Sequence, residues 1–338
     1  MGSTKKLIRN FVVFVVLILL TLWVILKDQS ITEIVDVYKD VKMQYVFIGI
    51  LCMVVFLTLE GVNIRRTLNE LGEKTSLKNC IKYSLIGSFF SSITPAASGG
   101  QPMQIYYMHK DGISVAHSTL ALLINLTSMQ ITTISLAVFS LIFNYKFMNR
   151  VLIILFCIGI FLNASALAIL LISIISRRIS KALIEFVVKI LKFFKVKNLY
   201  RKKKKFLKEL KRYQNSAKYV KSNKKLMAKI FITTLIQFTI YYSIAYWTYL
   251  ALDQSGSNIF ELTTMQSVLF ATVSGIPSPG SVGVSEGAFI EIFRNIYPTH
   301  MIKSATLIHR GINFYLFVII CGIVVVINDI KSRKVDNN

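Results

Sequence analysis

The residues best equipped for chemistry lie in Ser274-Gly-Ile-Pro-Ser-Pro-Gly-Ser-Val-Gly-Val-Ser-Glu286, a stretch that interrupts an apolar region and ends on a carboxylate. Pro277 and Pro279, with three glycines in the same ten residues, cannot continue a helix. Proline lacks the amide hydrogen and glycine carries the largest backbone entropy cost. A second run of the same kind, Thr94-Pro-Ala-Ala-Ser-Gly-Gly-Gln-Pro102, precedes it by 180 residues when Thr94 is counted to Ser274. Broken backbone at membrane depth must be buried in protein or line a wet cavity, since each unpaired amide or carbonyl facing lipid costs several kcal/mol.

Both breaks open into short helices, Gly99 and Gly100 leading into 103–108 and Gly280 and Gly283 into a helix from about Ser285. Free amides at a helix amino terminus attract anions, and in a membrane a lipid phosphate is the candidate. Close packing of short helices through small residues explains the same glycines, and both readings stand. Glu286 falls in the first turn of its helix, where a carboxylate caps amides and meets the positive end of the dipole. As an ionisable group inside an apolar region it also calls for a partner, and Arg310 is the candidate. Snorkelling of Arg310 to outer headgroups is the competing assignment.

Other chemistry finds little support. His109, His117, His300 and His309 form no HExxH spacing, and no GxSxG, phosphate-binding loop or paired acidic metal motif occurs. No catalytic residue, metal or cofactor is therefore expected. Cys52, Cys80, Cys157 and Cys321 lack CxxC spacing and read as small core residues.

The elements that position these breaks are membrane helices. The mean hydropathy is +0.58 over 338 residues, and several apolar runs approach the ~20 residues that cross a bilayer. Helix one spans about Leu7 to Leu26, behind Lys5, Lys6 and Arg9, and resembles an uncleaved signal segment. Helix two spans about 45–62. Runs at 115–143, 151–175, 230–252 and 301–327 follow. The net charge of +24 is concentrated: 20 of the 40 Lys and Arg fall between Arg177 and Lys229, against only Glu185 and Glu209. Such clustering marks a cytoplasmic loop, so both termini are placed in the cytoplasm and nucleic acid is not expected as a partner. Within the loop, 181–194 and then Phe206, Leu210, Tyr213, Ala217 and Val220 have amphipathic helical spacing.

The segments 83–94 and 262–274 are too short to cross. Twelve residues of helix rise about 18 Å, against about 30 Å of hydrocarbon. Charge alternation makes the first dip in from the cytoplasm and the second from outside, the arrangement expected of inverted repeats meeting at a central site. The expected fold is an all-α polytopic membrane protein with about six to eight membrane helices, two of them re-entrant. It forms a single membrane domain over 1–338, divided into a first half at 1–176, the basic loop at 177–229 and a second half at 230–330.

The two broken motifs, with His309-Arg310 following late in the chain, resemble the transmembrane region of the lysylphosphatidylglycerol synthase/flippase family, to which the multiple peptide resistance factors belong. The resemblance covers essentially the whole chain. It implies a bacterial plasma-membrane protein that handles phosphatidylglycerol or its lysylated form, moving it between leaflets and lowering the surface's attraction for cationic peptides. Two alternatives remain: phosphatidylglycerol lysyltransferase activity, drawing lysine from lysyl-tRNA, or a scaffold for a separate soluble synthase. The family's soluble transferase domain is not expected here, since the sequence ends at Asn338, eleven residues past the last apolar run. The family's first motif often carries Asp and Arg where Gln101 and Gln104 stand, so the resemblance brings no charged role to that half. The implied headgroup-binding set is Gly99, Gly100, Gln101, Gln104, Pro277, Pro279, Gly280, Gly283, Glu286 and Arg310.

Overall fold

The structure, a computed structural model, describes residues 39–94, 97–145, 148, 150–175, 199–276 and 278–336. The expected first helix at 7–26, the amphipathic segment 181–194 and Pro277 lie outside the described residues. Every described element is helical, and five helices among them are long and apolar enough to cross a membrane. The chain is an all-α membrane protein.

Helix α1, Met43–Glu70, is longer than the apolar run that announces it. Arg65 and Arg66 suggest an end near residue 62, but tertiary partners carry the helix on. Asn63 donates to Thr234 Oγ1 at 3.0 Å, and Arg66 donates to Thr233 Oγ1 at 2.9 Å and to the Lys229 carbonyl at 3.0 Å. After a turn, α2 (Leu77–Ser92) starts at Ser76, whose hydroxyl accepts from the Asn79 amide, and α3 (Gly100–Lys110) returns. Lys82 and Tyr83, near the start of α2, both bond the Asp111 carboxylate just past the end of α3. The two legs thus begin and end on one side. Sixteen and eleven residues of helix, about 24 and 16 Å, do not cross.

Next come α4 (Val115–Asn144), α5 (Arg150–Ile175) and α6 (Leu199–Ser222). The apolar stripe of α6 finds protein: Tyr213, Ala217 and Val220 are buried against Ala116, Leu120, Ile124, Leu226 and Ile230. Phe206 and Leu210 of the same stripe have side chains outside the described set. Two helices follow, α7 (Lys224–Tyr242) and α8 (Ile244–Ala251), with Ser243 between them still in the helical region. The second hairpin is α9 (Ile259–Val273) and α10 (Val284–Phe293), joined by a 3-10 turn at Pro279–Ser281. Last are α11 (Ile302–Arg310), a π-helical turn at Gly311–Tyr315, and α12 (Leu316–Asp336).

Contacts sort the helix ends onto two faces. On one, Glu70 accepts from Asn223 and Tyr219, His117 pairs with Glu73, and Tyr107 donates to Asp329. On the other, Lys42 pairs with Asp253 at 2.6 Å, and Tyr249 stacks edge-on with Tyr297 beyond the end of α10. Leu252, Leu262, Phe293 and Tyr297 share one core cluster, so the legs of the second hairpin start and finish on this second face. The two hairpins therefore enter from opposite sides.

Sidedness can be read by labelling. In a background lacking the four native cysteines, Lys110→Cys and Lys218→Cys, both exposed, are expected to react with a membrane-impermeant maleimide from one face and Arg294→Cys from the other. Modification of all three from a single face would rule out the opposed hairpins.

Candidate functional site

The second break is pinned by a buried ion pair. Gly280 and Gly283 adopt positive φ of 60° and 84°, as the tight reversal between a 3-10 turn and α10 requires. Glu286, the third residue of α10, reaches back so that its Oε2 accepts the Gly283 amide at 2.7 Å, the return half of a capping box. Its Oε1 accepts Arg310 Nε at 2.8 Å and the Tyr315 hydroxyl at 2.8 Å. Arg310 also donates through Nη2 to the Gly280 carbonyl at 3.1 Å, and its guanidinium lies 4.1 Å from the Phe314 ring centroid. The side chains of Arg310 and Glu286 are only 7% and 2% exposed, which makes pairing, not snorkelling, the arrangement found.

The π-helical turn is what assembles this cluster. Widening the helix just after Arg310 brings Phe314 beneath the guanidinium and Tyr315 onto Glu286. Phe314 in turn packs so closely on Gly280 that a Cβ there would overlap its ring. A neighbouring histidine, His309, is buried between Phe289, stacked at 4.8 Å, and Asn313, bonded at 2.8 Å.

The first break is held by uncharged groups. Thr94 Oγ1 donates to the Phe90 carbonyl at 2.6 Å and accepts the Gly99 amide at 2.9 Å. A Cβ on Gly100 would overlap Ser91 Oγ and stand 2.9 Å from the Gly87 carbonyl oxygen. These glycines let the two legs touch. Gln104, buried, donates from Nε2 to the Tyr83 carbonyl and to Glu60 Oε1, each at 3.2 Å. Two of the four glycine amides expected to face an anion are thus engaged internally, that of Gly99 by Thr94 and that of Gly283 by Glu286.

The tips of the hairpins meet around two adjoining cavities. One, of about 420 Å³, is lined on the second-break side by Ser274, Gly275, Ile276, Ser278, Gly280 and Ser281. The other, of about 310 Å³, is lined by Glu60, Gln101, Gln104, Asn125, Gln130 and Thr133 among others. Ser91, Ala97, Gln130, Asn163 and Ser274 border both. Of the residues expected from sequence, Gln101, Gln104 and Gly280 line these spaces. Glu286 and Arg310 lie behind the loop, Pro279 and Gly283 shape it, and Gly99 and Gly100 sit in the first hairpin's contact.

Several lining residues carry a signal that spacing alone did not single out. Glu60 is a carboxylate inside the apolar run 45–62, which by itself marks a site in a membrane segment. Asn125 and Gln130 stand amid the apolar residues of α4, and Asn163 amid those of α5. Asn163 Nδ2 bonds the Ala271 carbonyl at 3.2 Å and Ser274 Oγ at 3.1 Å, tying a full-length helix to the rim of the second break.

A family model described as lysylphosphatidylglycerol synthase TM region matches residues 10–321. A relative described as a UPF0104 membrane protein, from Archaeoglobus fulgidus, is 23% identical over 317 residues, covering 89% of this chain and 92% of its own length. No solved structure matches the chain.

Proposed function

This chain belongs to the lysylphosphatidylglycerol synthase TM-region family, and we propose that it translocates phosphatidylglycerol or lysylphosphatidylglycerol between membrane leaflets. The observation that carries the proposal is the meeting of two opposed half-helix hairpins around polar cavities. Half-helices entering from opposite faces bring polar backbone and side chains to a site where irregular backbone is sheltered from lipid. Serine, glutamine and asparagine side chains there offer both donors and acceptors, which suits a headgroup passing while its acyl chains remain in lipid. Gly99, Gly100, Gln101, Gln104, Pro279, Gly280 and Gly283 frame the path, and the pair of Glu286 and Arg310 holds its second wall in shape. Pro277 is proposed with them from sequence alone.

In this reading the protein sits in the bacterial plasma membrane, with the basic segment 177–229 on the cytoplasmic side as the positive-inside rule requires. Moving lysylated lipid outward lowers the negative surface potential that attracts cationic peptides. Proteoliposomes carrying fluorescent phosphatidylglycerol or lysylphosphatidylglycerol test it. Leaflet exchange above protein-free vesicles is expected for at least one of the two, and no exchange of either overturns the proposal.

The word synthase in the family's description favours a second reading, transfer of lysine from lysyl-tRNA to phosphatidylglycerol. Incubating the purified chain with lysyl-tRNA and phosphatidylglycerol separates the two. The expected result is no lysylated product from this chain alone, with a separate soluble synthase supplying the lipid.

A further inference from the structure

A route between leaflets does not by itself give transport a direction, and one contact in the first hairpin is built to depend on a proton. Glu60, half-buried on α1, is the one charged side chain among the described residues lining the smaller cavity. The lining from α2, α3, α4, α5, α7 and α9 supplies no other titratable group among those residues, and α12 brings the Cys321 thiol within electrostatic reach. Glu60 Oε1 accepts one N–H, from Gln104 on α3 at 3.2 Å. Gln104 is held in place for this: it is buried, its nitrogen also meets the Tyr83 carbonyl, and a Cβ on Gly87 would overlap its amide. The contact ties one leg of the first hairpin to a full-length helix. On α4, lining the same cavity, Asn125 is only 4% exposed and its Oδ1 accepts no hydrogen bond. Ionised, Glu60 makes a charge-assisted bond to Gln104, about twice as strong as a neutral one. Protonated, it grips Gln104 less and gains the O–H donor that the orphaned Asn125 oxygen lacks.

We propose that Glu60 is a proton-coupling site, whose change of charge releases and re-forms the Gln104 bond holding the first hairpin to α1. One proton is taken from water at one face of the membrane, forms an O–H bond on the Glu60 carboxylate, and is returned to water at the other face when that bond breaks. No other group is consumed. In the ionised state Gln104 fixes α3 against α1. In the protonated state the O–H turns to Asn125, and the hairpin is free to shift at the cavities that both breaks share. This inference rests on the translocation reading and supplies its driving force.

Proteoliposomes of the full chain, with a trapped pH-sensitive dye and fluorescent phosphatidylglycerol or lysylphosphatidylglycerol, test it while potassium and valinomycin clamp the membrane potential. An imposed gradient of about one pH unit should skew the leaflet ratio of the transported lipid by up to about tenfold, the limit for one proton per lipid. The dye should report proton flux only when that lipid is present. Glu60→Gln should abolish skew and flux, and Glu60→Asp, which still titrates, should restore them. Asn125→Ala should lessen the skew. If Glu60→Gln does not fold, Asn125→Ala carries the test, and an unchanged skew there overturns the proposal. A leaflet ratio indifferent to the pH gradient, a skew that survives in Glu60→Gln, or a skew driven by a sodium gradient at equal pH overturns it equally. Infrared difference spectra between acid and alkaline pH are recorded apart from exchange, and a protonated-carboxyl band lost in Glu60→Gln is expected. That band without leaflet exchange sinks translocation alone, whereas exchange without the band sinks the coupling alone.

Discussion

Glu286→Ala is expected to destabilise the detergent-solubilised protein by about 3–5 kcal/mol, because it strands the Arg310 guanidinium as a buried, uncompensated charge. The carboxylate makes three bonds at once, to the Gly283 amide, Arg310 Nε and the Tyr315 hydroxyl, and all three vanish together. Arg310→Met should cost a similar amount for the mirror reason, leaving Glu286 charged in the same enclosed place. The double variant Glu286→Met/Arg310→Met is the informative one. Apolar side chains of comparable volume often replace a buried pair at little cost, so its melting temperature should recover well above either single variant. If the double variant melts as low as the sum of the two singles, the residues are not coupled and the ion pair does not hold the loop. Leaflet exchange should fall in the single variants beyond what reduced stability explains, since Gly280 hangs from Arg310 and lines the larger cavity.

Gly159→Leu has the second largest expected effect, and it acts through backbone. Gly159 on α5 lies where that helix crosses α9, and a Cβ there would overlap the Ala271 carbonyl oxygen and stand 2.8 Å from Thr272 Cα. Neither obstacle can rotate away. Even Gly159→Ala must push the helices apart, at an overpacking cost of about 1–3 kcal/mol, and leucine should exceed it. One turn further along, Asn163 spans the same crossing to Ala271 and Ser274, so separation also breaks those bonds beside both cavities. Thermal unfolding and leaflet exchange should decline together. Gly287→Ala provides the contrast. That glycine is exposed within α10 with nothing near a new Cβ, and helix propensity alone should raise stability by about 0.5–1 kcal/mol. Equal loss from both substitutions would mean that the α5–α9 crossing is not closely packed.

The two breaks reach the same geometry by different chemistry. A threonine hydroxyl and small side chains hold the first, so its hairpin legs touch directly. A carboxylate, a guanidinium and two aromatic rings from another helix hold the second. In both, the groups that shape the loop stand mostly behind it, leaving serine, glutamine and asparagine to face the cavities.

Composition and local pattern alone determine that this chain is an all-α membrane protein, because apolar runs near bilayer length have few other uses and because proline and glycine must interrupt a helix wherever they cluster. Short legs with charges at known ends likewise determine that the breaks are re-entrant and opposed. The end of α1 at Glu70 was not legible locally, since it depends on Asn63 and Arg66 meeting α7 about 170 residues later in sequence. The choice between pairing and snorkelling for Arg310 was equally open, because a π-helical turn, invisible in a sequence that reads as one continuous helix, sets which way that side chain faces. Only the tertiary structure separates the residues that brace the site from those that line it. Glu286 and Glu60 are both carboxylates in apolar surroundings. One is spent on a loop amide and an arginine, and the other faces the cavity, a difference fixed by helices far apart in the chain.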